Sequence, residues 1–221
     1  EDLAIEQALA RQAIRRAIFA AEDGFPKKIG RSGIGMLPWF EPILATGSVL
    51  TKAPSAGQSL LTLLDAVQPT SITTIVLDQS NLAAALGAAA PINPCLSVQV
   101  LESSAFLSLA TVITPISNTR PGTPILRLHV TYESGDETSF DIKQGTLEAL
   151  PIPMGEAAKL RLQPLHRSDV GMGGLGRGGS VRVVGGVLGV VIDARGRPIR
   201  LPRDPSRRQD LYKKWLWTLG G

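Results

Sequence analysis

The residues best placed to do chemistry are Ala45-Thr46-Gly47-Ser48, at the break between the apolar run Pro42-Ile43-Leu44 and a helical pattern opened by Pro54. A residue without Cβ between small side chains lets a flat ligand reach the main chain, and Thr46 and Ser48 add hydroxyls beside it. Asp78 ends a second apolar run, Ile72-Thr73-Thr74-Ile75-Val76-Leu77, where α/β sheets tend to carry ligand groups. Capping the helix that follows is the other role open to it.

Other polar clusters fit blander roles. The run Gly171-Met172-Gly173-Gly174-Leu175-Gly176-Arg177-Gly178-Gly179 could turn several N–H groups on an anion, but it lies between two β-type runs and no Lys-Ser/Thr follows. It is expected to be a hairpin tip, with partner contact as its further use. Asp193 and Arg195 are expected to pair at a surface turn, with a catalytic acid and its anchor as the alternative. His129 alternates outward in a strand and His166 follows Pro164, and neither has a nucleophile motif beside it. No catalytic residue and no metal ligand set is expected.

Composition sets the frame for these candidates. With 221 residues, 43% of them hydrophobic, the chain can bury substantial cores. The net charge of +4 comes from spread Arg and Lys, densest over residues 195–208, where Asp193 and Asp204 sit close by. No aromatics interleave there, so a solvated surface is expected rather than a nucleic-acid interface. Cys95 is alone, which rules out an intramolecular disulfide and fits a reducing cytoplasm. No apolar run approaches the roughly 18 residues that span a bilayer.

The elements follow from periodicity. Ile5, Leu9, Ala13 and Ala17 recur every fourth residue, with Ile14 and Ile18 beside them and Arg11, Arg15 and Arg16 mostly opposite, so residues 2–22 are expected to form an amphipathic helix stopped by Gly24 and Pro26. Residues 27–36 are basic and glycine-rich, and read as a loop. Leu60, Leu61, Leu64 and Val67 mark a second helix, residues 72–78 a buried strand, and residues 80–90 an Ala-rich helix whose Gly87 would allow close packing. Beyond residue 94, short β-type runs at 96–101, 110–115, 124–133, 139–142, 157–164, 181–184 and 187–193 point to a small barrel or sandwich. Asp204-Pro205 is an N-cap with proline at the first helical position, opening a last helix with the stripe Leu211, Trp215 and Leu219. The expected organisation is α/β over residues 1–94, mainly β over 95–202, and a docking helix over 203–221.

The order of these elements, with Ala45-Thr46-Gly47-Ser48, Pro54 and Ala85-Leu86-Gly87-Ala88-Ala89, resembles the second half of an actin-like/Hsp70-like/sugar-kinase ATPase core. The narrower likeness rests on Ala53-Pro54-Ser55-Ala56-Gly57-Gln58, Leu63-Leu64-Asp65-Ala66-Val67-Gln68-Pro69, Asp169-Val170-Gly171, Gly185-Gly186, Val191-Ile192-Asp193-Ala194-Arg195-Gly196-Arg197-Pro198 and Trp215. This series resembles the MutL-type proteins associated with glutamate mutase, which are distinct from the mismatch-repair protein of that name. The resemblance implies the carboxyl-terminal half of an ATPase-fold accessory or reactivating chaperone of an adenosylcobalamin-dependent mutase. It also implies an adenosine site at Thr46, Gly47, Ser48, Pro54 and Asp78, with ATP or ADP as the full-length protein's ligand. The superfamily's Asp/Gly-rich phosphate hairpins do not precede the turn, so the chain alone is expected not to hydrolyse ATP. A small-molecule kinase and a nucleotide-independent protein-binding module are the alternatives.

Overall fold

The computed structural model describes residues 2–25 and 36–220 and is mixed α/β, built on two sheets. The basic stretch expected as a loop at 27–36 lies outside the described residues except for Met36. Strand β1 (Ile43–Ala45) runs parallel to β2 (Ser71–Asp78), with α2 (Ser48–Thr51) and α3 (Ala56–Val67) between them. Helices α4 (Ala83–Ala89) and α5 (Pro94–Leu101) then lead to β3 (Phe106–Thr114), which returns antiparallel to β2. Strands β4 (Pro124–Tyr132), β5 (Glu137–Lys143), β6 (Leu147–Leu150), β7 (Ala157–Pro164), β8 (Gly179–Val184) and β9 (Val190–Asp193) follow, and α6 (Pro205–Thr218) closes the chain.

The five-stranded sheet has the order β1-β2-β3-β9-β6 and the four-stranded sheet the order β5-β4-β7-β8. Strands β3, β6 and β9, all beyond residue 94, thus complete the sheet that β1 and β2 begin. The four-stranded sheet stays open, with β5 and β8 as its edges, so of the barrel or sandwich expected the closed barrel does not form. The two sheets share a core that includes Ile113, Leu128, Leu160, Val190 and Ile192. Alternation along each strand points the neighbouring residues the other way: Val112 and Val191 join Ile75, Leu60, Leu64 and Trp215 in a second core beneath α3 and α6. The layers are therefore sheet, sheet and helices.

Two segments depart from their sequence pattern. Residues 96–101, expected as a strand, form α5: Pro94 occupies the first turn and the Asn93 side chain accepts from the Leu96 N–H, so local capping prevails over β-branched content. In α1 (Asp2–Ala21) the helix is as expected but turned about its axis. Gln7 is buried and donates to Gln58 Oε1 at 3.0 Å, Arg11 and Arg15 lie half-buried with Ile14 and Ile18, and Ile5, Leu9, Ala13 and Ala17 are exposed. The reason is the surface beneath, which offers Gln58, Asp65 and Tyr212 as polar partners: the Arg11 guanidinium lies 3.7 Å from the Asp65 carboxylate and donates to the Tyr212 hydroxyl at 3.3 Å.

Close packing falls at other glycines than Gly87, around which a Cβ would meet open space. Gly57 in α3 instead lies against the Leu219 backbone, where a Cβ would clash. That contact brings the end of α6 onto α3. The Asp204 cap and Pro205 start of α6 are as the sequence predicts, with the Asp204 carboxylate accepting from the Ser206 N–H.

Candidate functional site

Because β1 and β2 are parallel, their carboxyl ends emerge side by side, and both sequence-predicted ligand positions sit there. Ala45 ends β1 and Asp78 ends β2. Gly47 adopts φ +112° and ψ 146°, a conformation essentially reserved for glycine, and forms the N-cap of α2. Its open side meets nothing within 4 Å, so the turn is free to receive a flat group. Thr46, Gly47 and Ser48 are all exposed. The Gly47 carbonyl accepts from the Leu50 and Thr51 N–H groups, which fixes the turn against the helix.

Thr46 ties the two strand ends together. Its hydroxyl shares its proton between the Asp78 carbonyl and Asn81 Oδ1, both at 3.2 Å. Asp78 itself is fully buried, and its carboxylate oxygens accept from the Leu82 N–H at 3.0 Å and the Ala83 N–H at 2.8 Å. Burial opposes its ionisation, but the N–H groups of Leu82, Ala83, Ser80 and Asn81 more than offset this and hold its carboxyl below the usual range. The carboxylate therefore caps the start of α4, and the polar groups exposed at this end include the Thr46 and Ser48 hydroxyls and the side chains of Gln79, Ser80 and Asn81. Pro54 is exposed in the α2–α3 connection, where Ser55 caps α3 by accepting from the Gln58 N–H.

Beside the turn, an apolar cavity of about 390 Å³ opens between α1, β1 and α3, with Ile18, Phe40, Leu44, Thr46, Leu50 and Leu63 in its lining. That size falls at the low end of small-molecule sites, and an apolar wall with hydroxyls and backbone at one rim is their usual composition.

The opposite end of the same sheet is closed by charge. Asp193 ends β9, and its side chain is fully buried with Arg195 and Arg197 almost equally so. The surface-turn ion pair expected for Asp193 and Arg195 is thus an interior cluster. Arg195 donates Nε and Nη2 to the two Asp193 oxygens at 2.8 and 2.9 Å, and Nη1 to Asp65 at 2.7 Å. Its guanidinium stacks 4.7 Å from the Trp215 ring centroid. Arg197 donates to Asp193 at 2.8 Å, to the Pro69 carbonyl at 2.9 Å and to the Thr114 hydroxyl at 3.3 Å.

These bonds join α3, β3, β9 and α6 through two guanidinium groups. Burial works against ionisation of Asp193, yet the charges and hydrogen bonds of Arg195 and Arg197 hold its carboxyl far below the usual range. Asp65, at the rim, is pushed upward by burial, against the pull of Arg195 and Arg11. With every strong donor committed, the cluster is built to hold the fold.

Sequence reasoning missed Arg197 and Asp65 as members of this cluster. The signal was present: charged residues at 193, 195 and 197 alternate with Ala194 and Gly196 straight after an all-apolar strand. The chain turns at Gly196, φ +95°, directly after β9, and the turn folds both guanidinium groups back onto the carboxylate that ends the strand. The glycine-rich run 171–179 does connect β7 to β8 as predicted, with Asp169 Oδ1 accepting from the Gly171 N–H and Val170 buried in the inter-sheet core at its root. His129 lies on the outer face of the four-stranded sheet, its Nδ1 2.6 Å from the Ser139 hydroxyl. Among the described residues no group of three or more His, Cys, Asp or Glu could hold a metal ion, and no helix is long and apolar enough to cross a membrane. No known protein family, curated protein or solved structure matches the chain.

Proposed function

We propose that this chain carries the adenosine side of a nucleotide site in an ATPase-fold accessory protein, one that serves an adenosylcobalamin-dependent mutase as a reactivating chaperone. The observation that supports the reading best is the pairing of the Gly47 turn with the end of β2 through Thr46, beside an apolar cavity of about 390 Å³. An adenine ring has an apolar wall to lie on there, and a ribose has the hydroxyls and exposed backbone at Thr46–Ser48. Asp78 acts through the protein rather than on the ligand: it fixes the Ser80–Ala83 segment and, through its carbonyl, orients Thr46.

In this reading the phosphates are held by groups outside this chain, so the chain binds ADP mainly through its nucleoside and hydrolyses nothing by itself. The motif series from Ala53 to Pro198 is the basis for the mutase partner. The polar outer face of the four-stranded sheet, with His129 and Arg161, is the surface offered to it.

Calorimetric titration of ADP and of adenosine into the chain tests the site, and titration of a cobalamin-dependent mutase subunit tests the partner. Similar affinities for adenosine and ADP, lost in Gly47→Val while the circular dichroism spectrum is retained, are expected. Absence of heat with nucleoside and with mutase alike rejects the proposal.

A further inference from the structure

We propose that the outward face of α1 is a self-association surface through which two copies of this chain pair antiparallel about a two-fold axis. The inference is independent of the nucleotide reading. It starts from the facing of the helix: α1 turns Gln7, Arg11, Ile14, Arg15 and Ile18 to the body and leaves Ile5 and Leu9 56% and 66% exposed, with Phe19 53% exposed at the flank. A helix whose inward side is already packed and whose outward side still carries large apolar residues has the pattern of an element between two surfaces.

The order of residue types along that face selects the occupant. Ile5, Leu9, Ala13 and Ala17 recur at four-residue spacing, a ridge that packs into a groove of a second helix, and a shallow crossing of about 20° keeps two such helices in contact over several turns. Large residues occupy its first half and alanines its second. An antiparallel copy whose two-fold axis passes at the level of residue 11 brings Ile5 to the level of the partner copy's Ala17, and Leu9 to that of its Ala13. Bulk then meets space along the whole ridge.

Charge follows the same order. Glu6 and Arg16 both stand on the exposed side, and the same axis brings the Glu6 of each copy to the level of the other copy's Arg16, so the antiparallel arrangement forms this pair twice. A parallel copy would set like against like. The symmetry is isologous, so each favourable match occurs twice.

Sedimentation equilibrium of the chain over micromolar to high-micromolar concentration is the test, with circular dichroism confirming that each variant is folded. The chain is expected to dimerise and Leu9→Glu to remain monomeric. Glu6→Arg alone and Arg16→Glu alone should each weaken association roughly tenfold, because symmetry doubles the mismatch. An equimolar mixture of those two variants should recover it, since the mixed pair restores opposite charges at both ends. A monomer throughout the range overturns the proposal, as does a dimer indifferent to Leu9→Glu. A mixture no better associated than its components overturns the antiparallel arrangement.

Discussion

The two ends of the five-stranded sheet use the same kinds of groups to opposite effect. At one end the parallel strands β1 and β2 finish in Ala45 and Asp78, and the chain spends its buried carboxylate on backbone N–H groups, leaving a glycine turn, two hydroxyls and an apolar cavity open. At the other end β3 and β9 finish in Thr114 and Asp193, and two buried arginines donate to the Asp193 carboxylate, Asp65, the Pro69 carbonyl and the Thr114 hydroxyl. A carboxylate neutralised by backbone leaves its surroundings free for a ligand. A carboxylate neutralised by guanidinium groups draws four elements together, and the cavity of about 610 Å³ beside that cluster meets Asp65 and Trp215 at its rim, with Asp193 itself sealed off.

The largest effect should come from breaking the closed end. Asp193→Ala leaves the buried Arg197 without a carboxylate and Arg195 with Asp65 alone, and is expected to cost about 3–5 kcal/mol of unfolding free energy in urea. The pH dependence carries the same signature. The Asp193 carboxyl is depressed from its ordinary value of 3.8, so its contribution is complete above about pH 4 and is lost as pH falls through the folded value. The acid limb of stability against pH should therefore be steeper in the native chain than in Asp193→Asn, and equal limbs would show that the cluster does not hold the sheet.

At the open end, Asp78→Ala removes two backbone caps and should cost about 1–2 kcal/mol, a smaller effect than at the closed end. Amide exchange should quicken over α4 while the protection of β9 is unchanged. Exchange that quickens across the whole sheet would mean that the two ends are one cooperative unit. Smallest in stability is Gly47→Ala, which meets no steric neighbour and carries only backbone strain of about 1 kcal/mol. Its effect should appear in ligand binding instead.

How much of this could be read from the sequence depended on the range of the determining contact. The open end was legible: a glycine between small residues, and an Asp at the end of an apolar strand, are local signals set by backbone conformation and capping. The α6 start at Asp204-Pro205 was legible for the same reason. The closed end was not, because the partners of Arg195 lie in α3 and α6, and only the fold reveals that the turn after β9 is roofed by Trp215. The facing of α1 failed likewise: its apolar stripe is the stronger periodicity, but the polar surface of α3 and α6 beneath it decided the orientation. In α5, Val98, Val100 and Leu101 favoured a strand until the Asn93-Pro94 cap is weighed. The open sheet edges at β5 and β8 depend on pairings that alternation alone does not specify.

The account's central claim is that ligand binding belongs to the open end and structural cohesion to the closed one. Amide chemical-shift mapping with adenosine and with ADP, on the native chain and on Gly47→Ala, tests it most directly. The account predicts shifts confined to residues 44–50 and 78–83 together with the cavity wall on α3, none at 193–197, and their loss in Gly47→Ala. Shifts centred on residues 193–197, or an identical response in Gly47→Ala, would contradict it.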